Sequence, residues 1–544
     1  MKINKISVLL FGAIVLASCS DIDNQNPAGG VYTLEQVKET NAAIPSRAEA
    51  TFNGMFTMMG VPYATYGSSS GRADDFGYIS AAFSNDIEAA DIVVTDNNYN
   101  WFSSPAEYTT RTPNYANPYM RYKLPYNQIG VCNELIAGQE EGTNIWAQAK
   151  AMRAFAYMTL AQNYAFGYTI DKTALCIPLL TDGVDYTNNP RATVEEVYNY
   201  IYEDLDAAVA VLSEENPVRS DKSRINLCVA LGLRARCNLY MGNWKAAADD
   251  ATAAIKAAES ENISIAPMSQ VSHPSFCDAT ECNWMWAIIE DAGVGSSYAT
   301  SASWIGSFSG NSYSAGTASY AMINNLLWEK IPQSDVRKGW WVDEDLVSPL
   351  LEGQTWTCAA GSASGQDIST FAYDDKMEFL PYTNVKFGMK SGIGSTMNNN
   401  DWPLMRIEEM YLIKAEGLAK SNDKGGAETA LKDLMANRDP EYKVDGRLLS
   451  LEDEIWFQRR VELWGEGFGT QDVKRLGKPV VRFHEGKDSN WPDAFKMNLK
   501  ADDGWLNMRF SQRETDNNKA IIDNTGGNLP VPGQNGNLRD GVTD

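Results

Sequence analysis

Two stretches of the chain repeat one pattern, and that pattern limits the fold more than any other feature. The first is ALGLRARCNLYMGNWKAAADDATAAIKAA (230–258), the second MYLIKAEGLAKSNDKGGAETALKDLMANR (410–438). Each reads as a helix, a short polar break and a second helix. In each, a small residue recurs twelve positions on, Ala235 with Ala247 and Ala415 with Ala427. This spacing puts a small side chain where two antiparallel helices cross, so their backbones can approach closely. Gly242 and Trp244 suit the turn of the first pair. The chain is predicted to be mainly α, built on stacked helical hairpins of the tetratricopeptide kind.

Other helices follow from periodicity. In AQAKAMRAFAYMTLAQNYA, Met152, Phe155, Ala156 and Leu160 share a face. In TVEEVYNYIYEDLDAAVAVL, Val197, Ile201, Leu205, Ala208 and Leu212 do the same, with Thr193 as N-cap and Glu196 completing a capping box. In PLMRIEEMYLIKAEGLAK, Ile407, Tyr411, Ala415 and Leu418 repeat the pattern. The helical scaffold is placed at about 31–61, 119–261 and 402–478. Long irregular regions, at about 62–118 and 262–401, are rich in Gly, Ser, Asn, Tyr and Trp, and 479–544 reads as an irregular C-terminal segment. Loops this long inside a compact protein usually carry function.

The N-terminus, MKINKISVLLFGAIVLASCSDID, has Lys2 and Lys5 before an apolar run, Val8 to Ala17, broken only by Gly12. The run suits a secretory signal core and is too short to span a bilayer. Leu16-Ala17-Ser18-Cys19 resembles the lipobox of bacterial lipoproteins. That resemblance implies cleavage before Cys19 and acylation of its thiol; more than one acyl chain anchors a protein stably. Residues 1–18 are thus read as a signal peptide, 19–30 as a lipidated N-terminus and tether, and 31–544 as one domain. DIDNQNPAGG lacks the closing acidic ligand of a calcium loop, since Tyr32 stands there.

Charge and composition exclude several functions. The net charge of −24 argues against nucleic acid, whose phosphates need a basic surface. The two histidines, His273 and His484, are more than 200 positions apart, which disfavours zinc sites and histidine catalysis. Beyond Cys19, seven cysteines remain, and they read as buried small apolar residues. Cys277 and Cys282 could close a small loop in an oxidising compartment. No cofactor is expected; the many carboxylates leave a structural Ca2+ open.

Several segments together resemble the SusD/RagB family of Bacteroidetes outer-membrane lipoproteins. They are AKAMRAFAYMTLAQNYAFGY followed by CIPLLTDGV, LLWEKIPQSDVRKGWW (326–341), RIEEMYLIKAEGLAK, and EIWFQRRVELWGEGFGTQDVKRLGK (454–478). Gln458, Gly469 and Val473 depart from the family's usual Glu, Arg and Leu, which weakens the expectation of the usual ion pairs there. Arg459, Arg460, Glu462, Glu466, Asp472 and Arg475 alternate in sign and read as a salt-bridge network tying the last helices together. The resemblance implies a SusD-like fold and a non-enzymatic, cell-surface nutrient binder. It also implies a place in the outer membrane, facing outward, as a lid on a SusC-like TonB-dependent barrel, with glycan or oligosaccharide as ligand. Peptide cargo is the alternative within this type. A glycoside hydrolase or a pure protein-interaction scaffold are the alternatives outside it.

Sugars need aromatic platforms for their C–H faces and amide, carboxylate or Arg groups for their hydroxyls. DNNYNWFSSPAEY (96–108) offers Tyr99, Asn100, Trp101 and Tyr108, and the preceding GRADDFGY adds Arg72 and Asp74, with Asp75 beside it. GVGSSYATSASWIGSFSGNSYSAG (293–316) offers Tyr298, Trp304 and Tyr313. Gly and Ser cannot bury such rings locally, so the rings either pack elsewhere or face a ligand. Trp340 and Trp341 read as structural.

Overall fold

The computed structural model describes residues 36, 39–40, 43–67, 74–96, 105–290, 321–355, 366–371, 379–395, 397, 399–444, 448 and 450–544. The protein is mostly helical. Its longer helices are α1 (Pro45–Thr57), α2 (Tyr78–Ile87), α3 (Ala116–Gly138), α4 (Asn144–Tyr164), α5 (Val194–Glu214), α6 (Leu227–Met241), α7 (Trp244–Ala258), α8 (Ile407–Lys420), α9 (Lys424–Met435), α10 (Leu451–Glu462) and α11 (Gly469–Leu476). Two small antiparallel ladders join β1 (Ile92–Val93) to β3 (Met322–Ile323) and β2 (Trp284–Ile288) to β4 (Trp402–Arg406).

Helices α3 to α9 pack one on the next, each against its neighbour in the series. The array continues from α7 to α8 although about 150 residues separate them in sequence. The long second irregular region is therefore an insertion between two stacked hairpins. The predicted crossings are close: Ala235, Ala247, Ala415 and Ala427 are all fully buried. Gly417 brings α8 against α7; a Cβ there would lie 2.5 Å from the Trp244 carbonyl oxygen.

Local signals act as read. Thr193 and Glu196 form the capping box, with Glu196 N–H donating to Thr193 Oγ1 (3.2 Å) and Thr193 N–H donating to Glu196 Oε2 (2.7 Å). Gly242 closes α6 with φ +77°, the left-handed conformation that glycine reaches without strain.

Two expectations are corrected, and one question that the sequence left open is answered. The helix read from Pro403 begins at Ile407, because 402–406 pair as β4 with β2, from Ile288 opposite Trp402 to Trp284 opposite Arg406. The first irregular region contains α2, which eight buried residues out of ten leave without an amphipathic signature. Cys277 and Cys282 are free thiols, so no bridge closes that loop. Cys132, Cys176, Cys228, Cys237 and Cys277 are buried, and burial pushes the Cys176 and Cys228 thiols up to about 12. Trp340 and Trp341 are core residues.

The last helices enclose a buried ion network. Arg459 and Arg475 both reach Asp472 (2.6 and 2.8 Å), Arg475 reaches Glu416 (2.6 Å), and Arg460 bridges Asp91 and Asp540 (2.7 Å each). Glu462 accepts from Arg337, Arg406 and Arg438 at 3.0–3.2 Å. Gln458 donates to Glu454 (2.8 Å) and accepts from Arg337, so it serves the network without charge. Gly469 lies where a Cβ would be 2.8 Å from the Ala89 Cβ, which explains why no Arg stands there.

Candidate functional site

The two segments expected to face a ligand spring from one ladder. The first leaves β1, and the second returns to the core through β3. Ile92 opposes Ile323 and Val93 opposes Met322, so the roots of both segments are hydrogen-bonded neighbours. Asn324 reinforces the joint: its N–H donates to Asp91 O (3.1 Å) and its Nδ2 to Ala90 O (3.1 Å).

A buried cation ties down the first segment. Arg482 donates to Ala89 O (3.1 Å) before it and to Ala106 O (2.7 Å) after it. The guanidinium also stacks over Tyr108 and Trp491, at 5.0 and 4.2 Å from the ring centroids. Burial lowers the Arg482 pKa, and it spends its donors on carbonyls. Beneath it, Glu88 is fully buried and pairs with Arg111 (2.5 Å) and Arg121 (2.9 Å). None of these four charged residues stands out in the sequence, because their partners lie tens to hundreds of positions away.

Tyr108 is therefore corrected from ligand candidate to anchor. It is fully buried, its hydroxyl donates to Glu88 O, and its φ of +61° turns the chain sharply. Asp74 is also buried, at 3% exposure, in the wall of an enclosed cavity beside Tyr78 and Arg121, so it does not form an open rim. Its neighbour Asp75 is buried as well and accepts from the N–H groups of Thr65 and Tyr66 (3.1 and 2.8 Å), a turn-holding role. Arg72, Tyr99, Asn100, Trp101, Tyr298, Trp304 and Tyr313 lie outside the described residues, as does Cys19.

Among the described residues no three His, Cys, Asp or Glu side chains gather as a metal-ligand set. His484 is buried, with Nε2 beside the Thr543 carbonyl and hydroxyl (3.1 and 3.2 Å). No helix among the described residues is long and apolar enough to cross a membrane.

A family model described as the SusD family matches residues 291–543. A second, described as starch-binding associating with outer membrane, matches residues 75–239. Together they take in well over half of the chain, and they include the segment after β1 and the segment before β3. The chain belongs to the SusD family. Solved structures agree on the fold of this SusD-family protein. A SusD-like carbohydrate binding protein from Bacteroides vulgatus is 23% identical, with a TM-score of 0.69 over 88% of this chain and 97% of that one. A SusD superfamily protein from Bacteroides thetaiotaomicron is 22% identical, with a TM-score of 0.66 over 88% and 99%. The surface glycan-binding protein A of Bacteroides thetaiotaomicron, solved in complex with laminarihexaose, is 15% identical, with a TM-score of 0.59 over 88% and 99%. No curated protein sequence matches.

Proposed function

We propose that this SusD-family protein is a non-catalytic cell-surface lipoprotein that captures a glycan and delivers it to a TonB-dependent outer-membrane barrel. The observation that carries the reading is the common root of the two aromatic segments at the β1–β3 ladder. An oligosaccharide requires rings and amides together, and both segments carry these residue types in their sequences. The resemblance of the fold to a laminarihexaose-bound protein supports the ligand class. Trp101 and Trp304 are the proposed platforms, with Tyr99, Asn100, Tyr298 and Tyr313 around them and Arg72 on the rim.

Calorimetry with laminarihexaose and a panel of plant and host glycans tests this. At least one glycan is expected to bind. Trp101→Ala and Trp304→Ala should each weaken it by roughly tenfold, about 1.4 kcal/mol, with an unchanged melting temperature. Wild-type affinity in both variants would remove these residues from the site. Sustained release of reducing sugar by the purified protein would replace binding with hydrolysis.

Residues 1–18 serve as signal peptide in this proposal, and residues 20–30 as a tether behind acylated Cys19. Cys19→Ala is expected to abolish palmitate labelling and to move the protein out of the outer-membrane fraction. Labelling that persists in Cys19→Ala would refute the anchor. A tagged copy of the wild-type protein, pulled down from detergent extracts, should bring the barrel with it; recovery of no outer-membrane barrel would refute the partner.

A further inference from the structure

We propose that a recess between α2, α4, β4 and the start of α11 binds a free, neutral aromatic molecule with one polar edge, such as a phenol or an indole. The recess takes in about 590 Å3 including its mouth, within the range of small-ligand pockets. Its lining residues are buried or half-buried and none is exposed. It is therefore a hollow that closes around one ring, which suits a whole small molecule better than a side chain whose backbone must stay outside. None of the proposed loop-face residues lines it.

Rings build the wall, and each is fixed by its neighbours. Phe155 packs against Tyr78 and Trp286, with ring centroids 5.1 and 4.9 Å apart. Phe468 is faced by the Arg236 and Arg459 guanidiniums, 5.3 and 4.8 Å from its centroid. Trp402 stacks on Phe387, with centroids 5.9 Å apart and planes 4° from parallel. Met158 and Leu404 add thioether and aliphatic surface. A ring that enters meets apolar surface already in place, so little side-chain freedom is lost on binding.

The polar groups decide which ring. Gln162 and Gln471 line the recess and are half-buried, so a ligand can reach both. The Gln162 side-chain amide makes no hydrogen bond among the described residues. Gln471 Oε1 accepts from the Tyr240 hydroxyl (3.2 Å), which leaves its Nε2 to donate. The charges in the wall are already matched. Arg236 donates to Glu409 (2.7 Å), and Glu466 pairs with Arg406 and Lys386 (2.8 Å each). A charged ligand would lose its hydration with no counter-charge left to receive it. A neutral N–H or O–H finds an amide acceptor, and a phenolic oxygen an amide donor.

Methyl NMR of the full chain, 13C-labelled at methionine and leucine, tests the proposal, with the Met158 and Leu404 signals assigned by substitution. The probes are phenol and indole; benzoate and benzylamine are the charged counter-probes. Both methyl signals should shift saturably with phenol or indole, about tenfold or more tightly than with either charged probe. Gln162→Met/Gln471→Met keeps the length of both side chains and removes both amides. It should weaken the better neutral probe about fivefold at an unchanged melting temperature. Silence of both methyl signals to phenol and indole overturns the proposal, as does equal affinity for a charged probe. Unchanged affinity in the double variant also overturns it, because the amides would then select nothing. A response to N-acetyltryptophan amide with none to free indole overturns it in favour of a partner's side chain.

Discussion

Replacing Glu462 with alanine or glutamine is expected to lower the melting temperature sharply and to reduce soluble yield. Glu462 is fully buried and, among the described residues, is the one carboxylate that Arg337, Arg406 and Arg438 share. Burial alone would raise its pKa, but Arg438, Arg406 and Arg337 outweigh burial and hold it well below the usual carboxylate range. Removing it leaves three guanidiniums in the core with one fewer anion, and breaking a buried pair in this way costs about 3–5 kcal/mol. Glu452, on the same helix but 57% exposed, is the control; Glu452→Gln should change stability by no more than about 0.5 kcal/mol. The depressed pKa also sets a pH dependence. The contribution of Glu462 is fully present above its unfolded value near 4.5 and fades as pH falls toward its folded value. The wild-type melting temperature should drop on acidification below pH 4.5, and Glu462→Gln should drop less. Thermal melts that superimpose for the wild type and Glu462→Gln would mean that the network contributes nothing.

Gly417→Val should be nearly as damaging, for a steric reason. The missing side chain of Gly417 is what lets α8 lie on α7. A Cβ would fall 2.5 Å from the Trp244 carbonyl oxygen and 3.0 Å from the Ala248 nitrogen, both backbone atoms that cannot rotate aside. The two hairpins would have to separate, and overpacking of this kind costs about 1–3 kcal/mol, occasionally more. Gly417→Ala should fall between valine and wild type. Gly425, near the start of α9, is open: a Cβ added there would meet no atom within 4 Å, so Gly425→Ala should be neutral or slightly stabilising. Differential scanning calorimetry of the wild type and the three variants orders them. If Gly417→Val and Gly425→Ala melted alike, close packing at this crossing would not govern stability.

The family resemblance and the helical architecture were legible because their signals are local. A helix announces itself within a dozen residues through its 3.6-residue period, as in Val197, Ile201, Leu205 and Leu212, all buried on one side of α5. A capping box needs only Thr193 and Glu196. Where a helix is buried on most sides, as α2 is, the period vanishes and the sequence offers no sign of it. The strand 402–406 reads as helix in the sequence because its pairing partner, β2, lies more than 100 residues earlier.

The candidate site was legible only by residue type. Aromatics in Gly/Ser/Asn-rich stretches admit two fates, packing or ligand contact, and the sequence is the same in both. Tyr108 takes the first fate because Glu88 O and the Arg482 guanidinium wait for it in the core.

By itself, then, the sequence determined the helical hairpins, their caps, the small residues at their crossings and the charge alternation of the last helices. All of these depend on neighbours within about a dozen positions. Tertiary structure decided that the array resumes across a long insertion, that the roots of the two aromatic segments share one ladder, and which partner each buried charge takes. Those outcomes depend on contacts between residues far apart in the chain, and distance along the chain carries no record of distance in space.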